Sequence, residues 1–244
     1  MTTSNWPLLS ALLDCPTLRT LFIHGPPGIG KTFSAYRRGL DGRPLYAITL
    51  TEDTPAAELR GHFLPKGAEG FVWHHGPMAR AMIEGARLVI NEVSHAGPDV
   101  HSILFGALES SETARLTLPT GETLIPHPRF QCVLTDNEGP ENLPRALLDR
   151  IDACICVDTP APEAIEAFPE SLRSIVLGCA SVQDDPARRL SLRVWGTLER
   201  LLSGGLSFED AGQAALGINW EGLRESLTIA MGKQVSEAAE SVPS

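Results

Sequence analysis

Long apolar runs are missing from this chain of 244 residues. None approaches the roughly 18 residues that a membrane span needs. The opening MTTSNWPLL has neither the basic stretch nor the apolar core of a secretion signal. The expectation is a soluble, cytoplasmic protein. Lysine is scarce: Lys31, Lys66 and Lys233 stand against 17 arginines. The formal net charge is −10, which argues against broad, sequence-blind binding to nucleic acid, since that needs a basic face. Cysteine pairs are also lacking. The five cysteines (Cys15, Cys132, Cys154, Cys156 and Cys179) are odd in number and scattered, with no C-x-x-C. Cys132, Cys154 and Cys156 sit in apolar stretches that read as buried strands, so reduced core thiols are expected. The seven histidines show no H-E-x-x-H or Cys/His ligand spacing, and no structural metal is expected. No G-x-S-x-G nucleophile elbow is present.

What is present is ordinary globular composition, 43% apolar and 20% charged. That is enough to bury a core without staples, in one domain or in one with a small companion. Short apolar runs at LRTLFIH (18–24), LYAITL (45–50), ARLVINE, RFQCVLTDN and IDACICVD read as five strands. Helical stretches separate them, among them TFSAYRRGL, PAAELRG, PMARAMIEG, PDVHSILFGALES and LPRALLDR. This alternation predicts an α/β fold with a five-stranded, parallel, doubly wound sheet. Two hairpin signals interrupt it, HFL and FVWHH around PKGAEG, and RLTLPTGETLI around PTGE. After TPAPEA the strands stop. Helices are expected at about 163–178, 189–203, 207–216 and 220–232. Ser207 and Asp210 form a capping-box-like start. The expected division is 1–158 for the α/β core, 159–232 for a helical lid, and a frayed tail over 233–244.

Gly25-Pro26-Pro27-Gly28-Ile29-Gly30-Lys31-Thr32 fits G-x-x-x-x-G-K-[ST] in full, between a strand and a helix. Its glycines let backbone N–H groups turn inward around phosphate oxygens, and the following helix aims its positive end at the same place. Lys31 would neutralise the β- and γ-phosphates, and the Thr32 hydroxyl would ligate Mg²⁺. The third strand ends Asn91-Glu92. Glu92 is the candidate general base for an attacking water. Asn91 stands where aspartate is usual; it can still accept from a Mg²⁺-bound water, but without charge. The fourth strand ends Thr135-Asp136-Asn137, and Asn137 is the candidate for orienting that water.

In this order and spacing, GPPGIGKT, ELRGHF, WHHGPMARA, LVINEVSHAGPDV, RLTLPTGE, FQCVLTDN and LPRALLDRID resemble the AAA+ ATPases of the helix-2-insert group. This is the MoxR-like, dynein-related branch that includes CbbQ/NorQ and McrB-type motors. The resemblance covers about residues 18–158 and extends more weakly into the lid. It implies a P-loop NTPase fold with two β-hairpin inserts and a C-terminal helical lid, using ATP and Mg²⁺. Lys31 and Thr32 match Walker A, Glu92 the Walker B glutamate, and Asn137 sensor 1. Arg150 matches the arginine finger, with Arg145 a weaker candidate, and Arg193 matches sensor 2. Asn91 departs from the Walker B aspartate. The hairpins, around 63–73 and 115–125, correspond to pore-facing inserts, which would make Phe63, Lys66, Phe71 and Trp73 remodelling contacts.

The family assembles as homo-oligomeric rings, normally hexamers, in which an arginine completes the neighbour's site. Relatives often work with a von Willebrand A-type partner. The expected function is therefore a ring-forming ATPase that remodels or activates a partner protein. With about two dozen residues before the P-loop, recruitment through an N-terminal domain is not expected. Two rivals remain open. One is a nucleotide-switched assembly subunit with little hydrolysis, favoured by Asn91. The other is a McrB-like, nucleic-acid-associated NTPase preferring GTP, against which the net charge weighs.

Overall fold

The computed structural model describes residues 5–67, 70–181 and 189–240. The hairpin tip at 68–69 and the end of the expected tail, 241–244, lie outside the described residues. The chain forms two units: Met1–Pro26 with Lys31–Val157, and Pro27–Gly30 with Asp158–Ser244.

The first unit begins with a helix that the sequence reading did not include, α1 (Trp6–Asp14), which buries Trp6, Leu9 and Leu13. There follow β1 (Thr20–His24), α2 (Lys31–Arg37), β2 (Leu45–Thr49) and α3 (Ala56–Arg60), then the hairpin β3 (Gly61–Pro65) and β4 (Phe71–His75). Next come α4 (Pro77–Glu84), β5 (Arg87–Asn91), a 3-10 turn at Val93–His95, and α5 (Pro98–Ala107). The second hairpin, β6 (Leu116–Thr117) and β7 (Thr123–Leu124), precedes β8 (Gln131–Asp136), α6 (Arg145–Leu148) and β9 (Ala153–Cys156).

Strands β2, β5, β8, β1 and β9 pair in that order, all parallel. β1, β5 and β8 are buried throughout except His24, as a parallel sheet covered on both faces requires. One continuous core runs from Phe22, Leu88, Ile90 and Leu134 through Met78, Met82, Leu104 and Leu147. The sheet is the five-stranded, doubly wound one that the alternation of runs predicts.

The edge position of β9 corrects one expectation. Cys154 and Cys156 are exposed rather than buried. β9 is the edge strand, paired with β1 alone among the described residues, and its alternate side chains Cys154 and Cys156 lie on a face left uncovered while Ile155 is buried on the other. All five cysteines are free thiols. Burial pushes the Cys132 thiol up from its ordinary value, which disfavours the reactive thiolate.

Arg87, at the start of β5, is fully buried. Its guanidinium donates to carbonyls at the ends of α1 and α2: Leu13 (2.9 Å), Ala35 (3.0 Å), Gly39 (3.1 Å) and Arg38. Its Nε donates to Gln131 Oε1 at 2.7 Å. Those are the acceptors that helix C-termini leave without partners, at the negative end of the helix dipole. Burial, with Arg43 nearby, lowers the Arg87 pKa to about 10, so it remains charged at neutral pH. Stranding one such buried acceptor costs about 1–3 kcal/mol. Arg87 therefore anchors α1 and α2 to the sheet.

The second unit is helical. The single helix expected over 163–178 is two, α7 (Pro162–Glu166) and α8 (Glu170–Ala180). Pro169 lacks the N–H that would continue the first and sits as the N-cap of the second. α9 (Leu192–Ser203), α10 (Phe208–Leu216) and α11 (Trp220–Glu240) complete it. α11 continues past 232, where the sequence reading placed a frayed tail; QVSEAAE is rich in helix formers. Asp210 N–H donates to Ser207 Oγ at 3.1 Å, and the Ser207 hydroxyl donates to the Asp210 carboxylate at 2.6 Å, so the cap of α10 is the one its sequence predicts. Val176, Trp195, Leu198, Trp220 and Leu227 form this unit's own core. Among the described residues no helix is long and apolar enough to cross a membrane.

Candidate functional site: a P-loop with a bridging asparagine

Parallel register brings three strand ends level. His24 pairs with Asp136, and Asn91 with Thr135. Ligands of open α/β sheets bind at such carboxyl ends. The loop after β1 is the glycine-rich octapeptide, and all three of its glycines have positive φ: Gly25 139°, Gly28 71° and Gly30 106°. At Gly25 a Cβ would stand 1.8 Å from the Val157 carbonyl oxygen, and at Gly28 one would stand 2.2 Å from Ser191 Cβ. Both conformation and space therefore demand glycine.

Lys31 opens α2 and is 7% exposed. Its ammonium donates to the carbonyls of Gly25 (2.6 Å) and Pro26 (2.8 Å) and to Asn137 Oδ1 at 3.0 Å. The other face of the same amide is turned to Glu92: Asn137 Nδ2 lies 3.0 Å and 3.1 Å from the two carboxylate oxygens. Asn137 thus joins the Lys31 ammonium to the Glu92 carboxylate. Glu92 itself has φ 57° and ψ 50°, a left-handed conformation that costs a non-glycine residue about 1–3 kcal/mol and tends to mark functional positions. Asp136 holds it there. Buried to 2% exposure, Asp136 accepts from Ser94 N–H (2.6 Å) and Glu138 N–H (3.0 Å), pinning the loops after β5 and β8.

Asn91 lies beneath. Its Oδ1 accepts from the hydroxyls of Thr32 (2.9 Å) and Thr135 (2.8 Å). Its Nδ2 has only long contacts, 3.4 Å to the Tyr36 hydroxyl and 3.5 Å to the Ile48 carbonyl. Thr32 and Asn91 together present hard, neutral oxygens, the donor type that Mg²⁺ takes, with the Glu92 carboxylate next in sequence. The residues fit an Mg²⁺–nucleotide, with one negative charge fewer than an aspartate would provide.

The arginines divide. Arg150, 24% exposed at its side chain, is committed within its own chain. Its Nε donates to the Phe105 carbonyl at 2.9 Å, its guanidinium pairs with Glu109 and donates to the Ala146 carbonyl, and it lies 5.5 Å from the Phe105 ring centroid. Arg145, on α6, is exposed and has no side-chain partner among the described residues. Arg193, exposed at the start of α9, follows Leu192, whose N–H donates to the Gly28 carbonyl at 2.9 Å. In the first hairpin, Phe63 pairs with Trp73, their rings edge to face with centroids 5.0 Å apart, while Phe63 and Phe71 are exposed.

Sequence reasoning assigned no role to Thr135, Tyr36, Asp136 and Glu109. Thr135 could have been found by aligning the ends of β5 and β8; the others are set by packing. His24, at the end of β1, also faces this region. Burial holds its pKa below the usual histidine value, with Glu141 and Asp136 opposing and Lys31 reinforcing the shift.

A family model described as the AAA domain, dynein-related subfamily, matches residues 20–151. Protein NorQ of Paracoccus denitrificans is 38% identical over 142 residues, 57% of this chain and 49% of that one. The denitrification regulatory protein NirQ of Pseudomonas aeruginosa is 35% identical over 128 residues (52% and 48%). Protein CbbQ of Hydrogenophilus thermoluteolus is 32% identical over 147 residues (59% and 54%). The chain spans about half the length of the curated relatives it matches. A crystal structure of a candidate ATPase from Cytophaga hutchinsonii superposes with a TM-score of 0.51 at 18% identity, over 81% of this chain and 59% of that one, a likeness of fold.

Proposed function

Because the chain belongs to the dynein-related subfamily of AAA domains, we propose that it is a cytoplasmic, Mg²⁺-dependent ATPase that forms a ring, hexameric in the family pattern. We propose further that it couples hydrolysis to remodelling or activating a partner protein, one with a von Willebrand A-type domain being the expected kind. The observation that carries the hydrolytic reading is the Asn137 bridge between Lys31 and Glu92. A phosphate arriving in the glycine loop would exchange the Gly25 and Pro26 carbonyls for its own oxygens on Lys31. Asn137 would then link that cation to the carboxylate that takes the proton of the attacking water. The water oxygen bonds to the γ-phosphorus, the bond to the β-bridging oxygen breaks, and ADP leaves. Thr32 and Asn91 would hold Mg²⁺, the latter through a water; the ion would supply charge neutralisation at the phosphates. Residues 159–232 would act as the lid, with Arg193 reaching the nucleotide, and Arg150 would act in the neighbour's site. The first hairpin's exposed Phe63 and Phe71, with Lys66 and Trp73, would contact the partner.

Lys31→Ala is expected to weaken binding of a labelled ATP analogue at least tenfold, because it removes the one compact charge placed on the phosphates. Wild-type affinity in that variant would remove the nucleotide site from this loop.

A second reading, a nucleotide switch with little hydrolysis, is favoured by the neutral Asn91. A Mg²⁺ titration of ATP hydrolysis decides between them. Changes next to metal ligands typically alter affinity or activity by about 10–100-fold. Asn91→Asp should therefore raise turnover or lower the Mg²⁺ needed for half-maximal rate by about tenfold. The Tyr36 hydroxyl can donate to the new oxygen, while the Ile48 carbonyl opposes it. Fast wild-type turnover at sub-millimolar Mg²⁺ with no gain from aspartate would reject the impaired-site idea. No hydrolysis by either form would leave the switch and overturn the motor.

A further inference from the structure

A cavity of about 510 Å³ opens in the first unit between α3, α5 and β6, lined by Ala56, Arg60, Asp99, Ile103, Arg115 and Leu116 among others. It shares no residue with the nucleotide site. Its volume lies within the range of ligand pockets, about 300–1,000 Å³.

Three features give it a chemistry. First, it gathers two guanidinium groups in a chain of formal net charge −10. Second, the Nε–H of Arg60 is buried and makes no hydrogen bond, an unmet donor that a shift of the side chain toward a ligand carboxylate would satisfy. Arg115 spends one donor on the Ala114 carbonyl at 2.7 Å and has others to offer. Third, Ala56, Ile103 and Leu116 supply an apolar lining beside the cations. A simple anion would use the arginines and leave that lining wet. A peptide carrying a carboxylate next to an aliphatic side chain would use both. Asp99 and Ser102 on α5 complete the lining. The Ser102 hydroxyl already donates to the Pro98 carbonyl at 2.9 Å, so it and Asp99 remain as acceptors for peptide N–H groups.

The position of the two arginines adds a consequence. Arg60 is the last residue before β3, and Arg115 the last before β6. Each stands at the root of one hairpin. We propose that this groove binds an acidic segment of the partner protein, a carboxylate held between Arg60 and Arg115 with an aliphatic side chain on Ile103 and Leu116, and so ties the roots of both hairpins to one ligand. The identification of that segment as part of a partner rests on the remodelling reading above; the acidic-peptide chemistry does not.

The test uses the full chain and a fluorescent hexapeptide of alternating leucine and glutamate, followed by anisotropy. Saturable binding is expected. It should weaken at least tenfold in Arg60→Gln and in Arg115→Gln, and for the matching leucine–glutamine peptide. Arg60→Lys and Arg115→Lys should recover part of the loss, which separates lost charge from lost fold; thermal unfolding of each variant is recorded alongside. Undiminished binding in the Arg60→Gln/Arg115→Gln double variant overturns the site, as does equal affinity for the glutamine peptide. Full displacement by low-millimolar inorganic phosphate also overturns it, in favour of a phosphate site. ATP hydrolysis measured on the same preparations keeps the two claims apart. Peptide binding without turnover sinks the motor and keeps the groove, and turnover without peptide binding does the reverse.

Discussion

Replacing Arg150 with alanine is expected to lower ATP turnover by about 10³-fold or more, the scale on which arginine fingers act, while leaving nucleotide affinity close to that of the wild type. The reasoning is geometric. Within its own chain the guanidinium is held by the Phe105 and Ala146 carbonyls and by Glu109, none of them a residue of the glycine loop or of the Asn91–Glu92 and Asn137 strand ends. A charge so placed can serve hydrolysis by completing a neighbour's site, where negative charge develops on the transferring phosphoryl group. Glu109 and the Phe105 ring would set its direction. Arg150→Lys keeps the charge but loses the planar fork that pairs with Glu109, so it should recover only a small part of the rate. Single-turnover hydrolysis together with equilibrium binding of an ATP analogue checks this. A turnover loss that tracks a loss of thermal stability would assign Arg150 to the fold instead.

Glu92→Gln should lower turnover by about 10²–10⁴-fold, the contribution typical of a positioned general base. Glutamine keeps the length and one carbonyl acceptor for Asn137 Nδ2. Its new amide, however, meets that same donor where the second carboxylate oxygen now accepts at 3.1 Å. The variant should still bind nucleotide, because Lys31 and the glycine loop are untouched, and it should hold ATP without cleaving it. Rapid-quench measurement of bound ATP and ADP reads both points. A variant that turns over at the wild-type rate would move the base elsewhere.

Much of this arrangement is legible in the chain because it depends on local rules. GPPGIGKT demands positive φ at its glycines whatever surrounds it, and Gly25, Gly28 and Gly30 have it. The apolar runs and the helices between them imply the parallel sheet, because strands that alternate with helices return in the same direction through crossovers. Ser207 caps α10 because a hydroxyl three residues ahead of Asp210 can reach one N–H. The stripe Trp6, Leu9, Leu13 follows helical spacing and marks α1 just as plainly, although it lies outside the motifs.

What stays hidden depends on which elements become neighbours. Cys154 and Cys156 sit in a run as apolar as β1, and nothing local says that β9 has one flank bare. Arg87 carries a charge into the core because the ends of α1 and α2 converge on it, a meeting of residues up to 74 positions apart. The two donors to Asn91 come from Thr32 and Thr135, 59 and 44 positions away. Asn137 could be nominated by its place at a strand end. Its double role required Lys31 and Glu92 to stand on either side of one amide.

The most direct test of the account mixes two dead proteins. Arg150→Ala and Glu92→Gln subunits are each expected to be inactive alone. Combined in equal amounts and allowed to exchange, random assembly gives about a quarter of the interfaces an intact Glu92 on one side and an intact Arg150 on the other, since each head-to-tail contact draws on two subunits. Steady-state ATP hydrolysis of the mixture should therefore return to a substantial fraction of the wild-type rate, and should fall away on dilution as the assembly dissociates. A mixture that stays inactive while both variants fold and bind nucleotide, beside a wild type whose rate per subunit is unchanged at high dilution, would contradict the claim that this chain hydrolyses ATP at sites completed by its neighbour.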